Sequence, residues 1–156
     1  MSGRFDNDDY QDDDNLAYGR WQACVKAVLR GKPAQAGFKA LVAALEALPE
    51  PKLGYGALCT QDGLLCAVGA MAYHKRVATG ADPEAVRQEL WRASEDTAYD
   101  GYGTAAYAQE HLGITATLGW LIGERNDLSY HEFPEVRYQD MLRWAKSQIR
   151  QEEPAL

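Results

Sequence analysis

The sequence predicts an all-α fold, a single-domain bundle of about six helices with a small hairpin or loop around residues 57–66. Three observations lead there. Apolar residues recur at three- and four-residue spacing through most of the chain. The 24 alanines outnumber the 16 Val, Ile and Thr together, a balance that favours helix over sheet. A length of 156 residues with 46% hydrophobic and 25% charged side chains suits one domain with its own core. The domain is expected over 15–150, between an acidic disordered tail at 1–14 and a C-terminal tail at 151–156.

Each element has its own warrant. Asn15 is placed to cap a first helix whose stripe is Trp21, Cys24, Val25, Val28 and Leu29, closing at Lys26, Arg30 and Gly31. Pro33 suits a first helical position. Phe38, Leu41, Val42, Leu45 and Leu48 then repeat the stripe until Pro49 and Pro51 stop it. Glycines 54, 56 and 63 punctuate the next stretch, where Ala57-Leu58-Cys59 meets Leu64-Leu65-Cys66 across Asp62-Gly63. A two-residue turn there would set Cys59 opposite Cys66. From Leu65 the spacing of Cys66, Gly69, Tyr73 and Val77 is helical, with Gly69 permitting close approach of a neighbouring helix and Gly80 ending the run. Asp82-Pro83-Glu84 opens a fourth helix that leads into Val86, Leu90 and Trp91. Residues 96–103 read as a glycine-bearing loop with tyrosines. Thr104 begins a helix ending at Gly113, and Thr115 caps one carrying Leu118, Leu121 and Ile122. A last helix opens at Pro134 with Met141, Trp144, Ala145 and Ile149 facing inward.

Charge and cysteine usage narrow the function. Net charge is −7, but residues 1–15 alone carry −5, so the rest of the chain is nearly neutral. Such a head opposes general affinity for phosphate backbones, and nucleic acid is not an expected partner. Asp8, Asp9, Asp12, Asp13 and Asp14 could form an acidic arm that mimics phosphates against a basic partner. The run lacks the glycine and closing glutamate of a calcium loop, so no metal is expected. Three cysteines without an export signal argue for reduced, buried thiols, and no cofactor is expected. No apolar run approaches the roughly 20 residues a bilayer requires. A cytoplasmic protein is the expectation.

Several motifs compete for a chemical role. The segment from Ala108 to Leu118 has the outline of a helix-turn-helix, yet no Lys or Arg precedes Arg125 in the second helix. Cys66, His74 and Asp127 could supply the parts of a small hydrolase, as could the carboxylate pair Glu132 and Glu135. Tyr99, Tyr102 and Tyr107 offer large amphipathic area for a partner or a planar ligand, and Lys75, Arg76, Arg92, Trp120 and Arg125 complete the candidate binding set. On these residues the alternatives are a sponge for an anionic cyclic-nucleotide-type signal, a small hydrolase and a DNA-binding regulator.

Other segments carry a resemblance. Arg30-Gly31-Lys32, Leu41 through Pro49, Cys66-Ala67-Val68-Gly69-Ala70, Leu112-Gly113-Ile114 and Asn126-Asp127 resemble, in that order, small uncharacterised proteins of bacterial genomes, prophages and phages. Glu132-Phe133-Pro134-Glu135-Val136-Arg137-Tyr138, with Trp144 and Gln148-Ile149, extends the resemblance to residue 149. It implies a helical, non-secreted accessory protein and carries over no catalytic residue. The expected function is therefore a non-enzymatic, phage-type accessory protein in the host cytoplasm. It would act by binding: masking a host defence protein, as an inhibitor, or sequestering a ligand. A second copy of the chain stands among the partners considered.

Overall fold

The structure, a computed structural model, describes residues 7–96, 101–128 and 133–150. Among them are seven helices and no strand: α1 (Asn7–Arg30), α2 (Lys32–Glu46), α3 (Ala67–Ala78), α4 (Pro83–Asp96), α5 (Gly101–Leu112), α6 (Ala116–Leu128) and α7 (Pro134–Gln148). The all-α bundle expected from the sequence is the observed fold.

The core is built from the predicted stripes. Phe38, Leu41 and Leu45 of α2 are buried against α3 and α7, and Trp144 of α7 meets Phe38 edge-on at 5.3 Å. Pro33 and Pro134 sit in the first turns of α2 and α7, where a missing N–H costs nothing. Asp82 caps α4 by accepting the Ala85 N–H at 3.0 Å. Gly80 and Gly113 leave α3 and α5 with positive φ, as a helix-ending residue requires. Thr115 caps α6 by accepting the Leu118 N–H at 3.2 Å. The tightest helix pair is α5 with α6, where Gly119 faces Ala105 and Ala108 closely enough that a Cβ would lie 2.8 Å from the Ala108 methyl.

Four sequence expectations are corrected. Helix α1 begins at Asn7, not at an Asn15 cap. Aspartates at a helix start complement its positive end. The α1 stripe is only half-buried at Val25, Val28 and Leu29, while Trp21 and Cys24 stay exposed, because α1 leans mainly on α2 and α6. Trp91 is likewise exposed, with Val86 and Leu90 carrying the buried face of α4. Helix α5 starts at Gly101, not at Thr104, so it includes Tyr102 as well as the Tyr107 already expected in it; Tyr99 lies outside the described residues.

The turn after Cys59 is corrected in register. Gly63 donates to the Thr60 carbonyl, Thr60 N–H to the Leu64 carbonyl, and Cys66 N–H to the Leu58 carbonyl. Gly63 has φ +84°. This is a three-residue loop with a left-handed glycine. It pairs Cys59 with Leu65, one residue off the expected match with Cys66, and both thiols are free. Thr60 favours this loop by accepting the Leu64 N–H on its hydroxyl at 3.1 Å.

The close approach at Gly69 is also of another kind than expected. Its neighbour is the backbone of this turn, not a helix: a Cβ on Gly69 would lie 2.0 Å from the Leu58 carbonyl oxygen. Gly69→Ala is therefore expected to lower stability by about 1–3 kcal/mol through overpacking against rigid backbone. Gly19→Ala, in an open stretch of α1, is expected to raise it by about 0.5–1 kcal/mol. Thermal denaturation followed by circular dichroism checks both, and equal effects at the two glycines would contradict the contact.

Candidate functional site

The irregular segment from Leu53 to Cys66 is fastened by side chains from distant helices. Asn126 of α6, 1% exposed, accepts the Ala67 N–H at 3.0 Å and donates to the Gly54 carbonyl at 3.0 Å and to Asp127 at 3.0 Å. Arg137 of α7, also buried, donates to the Leu53 carbonyl at 2.9 Å. Ser94 of α4 accepts the Leu58 and Cys59 amides. These bonds satisfy backbone groups that a loop inside the protein would otherwise leave unpaired. Sequence reasoning missed Asn126 as a core residue, although a polar side chain on the Leu118–Ile122 stripe was the available signal. Asn126→Leu leaves the Ala67 amide and Gly54 carbonyl without partners and is expected to cost roughly 3 kcal/mol, read from urea denaturation.

The hydrolase trio is not assembled. Cys66 is the N-cap of α3, where its sulfur accepts the Gly69 N–H at 3.3 Å. His74 lies eight residues along the same helix, roughly 12 Å away by helical rise. Asp127 is engaged with Asn126 and the Gly56 amide. Burial pushes the Cys66 thiol up to about 12, which keeps it protonated and non-nucleophilic at neutral pH. Of the carboxylate pair, Glu135 forms an ion pair with Lys52, and Glu132 lies outside the described residues.

The would-be recognition helix is α6, and it is the hub of the bundle. It touches α1, α3, α5 and α7, and only Thr117, Arg125, Asp127 and Leu128 are exposed along it.

The expected binding residues divide into separate groups. Lys75 and Arg76 at the end of α3 meet α5, where Lys75 donates to the His111 carbonyl at 3.0 Å and the Tyr107 ring stacks on His111 at 4.3 Å. Arg76 is engaged by Glu89 of α4 at 2.7 Å, which holds the Glu89 carboxyl below its ordinary value. Arg92 is exposed on that same helix. Trp120 faces Trp21 edge-on at 5.8 Å, and Arg125 lies over the Trp144 ring, so these two belong to other parts of the surface. The side chain of Tyr102, all of Tyr99, and the side chains of Asp8, Asp9, Asp12, Asp13 and Asp14 lie outside the described residues.

A concavity lies beside the Lys75 group. It is a cleft of about 540 Å³ between α2, α3 and the α5–α6 turn. Pro33, Ala36, Gly37, Ala40 and Ala43 make a low wall on α2, while Met71 and the turn residues Leu112, Gly113, Ile114 and Thr115 make the rest apolar. His74 and Lys75 are the two basic side chains on its lining. Small residues along α2 create the room. Gly37 draws the turn inward, since a Cβ there would meet the Leu118 side chain at 2.5 Å. Pockets of some 300–1,000 Å³ with mostly apolar walls and a few polar groups are the usual form of a small-molecule site.

No protein family, curated protein or solved structure matches this chain. Among the described residues there is no cluster of three or more potential metal ligands, and no helix is long and apolar enough to cross a membrane.

The buried thiol gives a pH signature. An unfolded Cys66 loses its proton near pH 9, whereas the folded one holds it to about 12. Between those values the unfolded chain binds fewer protons, so stability falls as pH rises, by about 1.4 kcal/mol per unit from this group. Cys66→Ser keeps a capping oxygen and removes the titration. Between pH 9 and 11 it is expected to lose about 2 kcal/mol less than the wild type, measured as the shift in urea midpoint at each pH.

Proposed function

We propose that the protein is a non-enzymatic binding protein that sequesters a small amphipathic anion in the cleft between α2, α3 and the α5–α6 turn. The observation that carries this reading is the pairing of an apolar 540 Å³ cavity with Lys75 and His74 on its lining. An apolar body fills the space above Ala36, Ala40 and Ala43, where water gains little, and burial of that body supplies most of the affinity. An acidic group at one end meets the Lys75 ammonium. One N–H of that ammonium is already fixed to the His111 carbonyl, which orients the amine and leaves two donors for the ligand.

On this reading the ligand leaves as it came, and among the described residues the lining of the cleft carries no cysteine or serine. In the phage or prophage setting that the resemblance implies, such a protein acts by withholding its ligand from the host. A cyclic-nucleotide-type signal fits less well, since Arg76 is occupied by Glu89 and Tyr107 is half-buried against His111.

The reading is tested with 8-anilinonaphthalene-1-sulfonate and with decanoate as probes. Wild type is expected to bind each saturably, with one site per chain by calorimetry, and to release it unaltered on denaturation. Ala40→Trp, at an exposed position on α2, fills the cleft and is expected to abolish binding. Lys75→Met is expected to weaken it roughly tenfold. Binding that ignores Ala40→Trp, or no saturable binding of either probe, would overturn the reading.

A further inference from the structure

Helix α1 is the least covered element of the fold. From Leu16 to Cys24 every residue is exposed, including Leu16 at 59%, Tyr18 at 58% and Trp21 at 44%. Its mean hydropathy is low, so its length is not explained by burial in its own chain. The sequence along it has an order that is informative. Its first half carries Asp8, Asp9, Asp12, Asp13 and Asp14, and its second half carries Arg20, Lys26 and Arg30 with no acid among them.

Helical spacing sorts these positions. Asp12, Leu16, Gly19, Ala23, Lys26 and Arg30 follow one another at alternating steps of four and three, which places them on one stripe along the helix. Its described members are all exposed. The stripe is distinct from the side on which Trp21 meets Trp120 and carries Val25, Val28 and Leu29 toward the body. At its centre Gly19 has nothing within 4 Å of where a Cβ would be, so another backbone can come close there.

We infer that this stripe is a self-association surface: α1 pairs antiparallel with α1 of a second copy of the chain. The charge order selects both partner and direction. Antiparallel pairing about a two-fold axis near Gly19 sets residues 8–14 of one copy beside residues 24–30 of the other, acid against base at both ends. Parallel pairing would set acid against acid. A two-fold arrangement satisfies both copies with one surface. Leu16, Gly19 and Ala23 supply a narrow apolar centre, and the flanking charges fix the register.

The test needs no ligand: the mass of the full chain is measured by light scattering across concentration and salt. Wild type at 50 mM salt is expected to pass from 17.3 kDa to twice that mass as concentration rises, with weaker association at 500 mM. Lys26→Glu with Arg30→Glu makes both ends of α1 acidic, and Asp8→Lys with Asp12→Lys makes the helix predominantly basic. Each alone is expected to associate at least about tenfold more weakly, and an equimolar mixture to regain a two-chain species. Gly19→Leu blocks the close approach and is expected to weaken the pair without lowering thermal stability of the single chain. A wild type that keeps single-chain mass at every concentration overturns the inference. A two-chain species indifferent to charge reversal and to Gly19→Leu overturns it as well.

Discussion

The amide of Asn126 is the constraint on which the middle of this molecule depends. It offers an acceptor to the first N–H of α3 and a donor to the Gly54 carbonyl, so one side chain fixes both ends of the irregular segment against α6. Leaving either group unpaired inside the protein would cost more than an ordinary hydrogen bond contributes, which is why the buried position holds a polar residue. Fixing that segment sets where α3 begins, and therefore where its last turns place His74 and Lys75.

Small residues do the complementary work. Gly69 admits the Leu58 carbonyl, Gly119 admits α5, and Gly37 admits Leu118. Each close approach removes bulk at one point and brings larger side chains into contact nearby. Along α2 the same economy, with alanines at 36, 40 and 43, leaves a cavity open to solvent. The cleft and the tight core thus have a common origin in residues that lack side-chain volume.

Much of this architecture was legible in the sequence, and the reasons are local. Pro33, Pro83 and Pro134 mark helix starts because a ring without an N–H is tolerated there, and the stripe from Phe38 to Leu45 marks a buried face because its spacing matches a helical turn. Gly80 and Gly113 mark ends for the same kind of local reason. The rest depended on partners far along the chain. The Cys59 register turned on whether Asp62-Gly63 closes a two- or a three-residue loop, a choice tipped by the Thr60 hydroxyl. The α1 stripe looked like a core stripe because periodicity records amphipathicity and not what lies opposite. Lys75 and Tyr107 were singled out for their chemistry and do meet at His111, but the alanine wall that gives Lys75 a cavity carries no chemical signal of its own.

The fastening of the Leu53–Cys66 segment also bears on how the chain is made. Gly54 finds its donor at Asn126, 72 positions later, and Leu53 finds its donor at Arg137, 84 positions later. During synthesis α2 and α3 emerge with the strip between them still lacking those anchors, and the ribosome must deliver α6 and α7 before it can be secured. The helices can form as they appear, whereas the join between them waits for the far end of the message to be read.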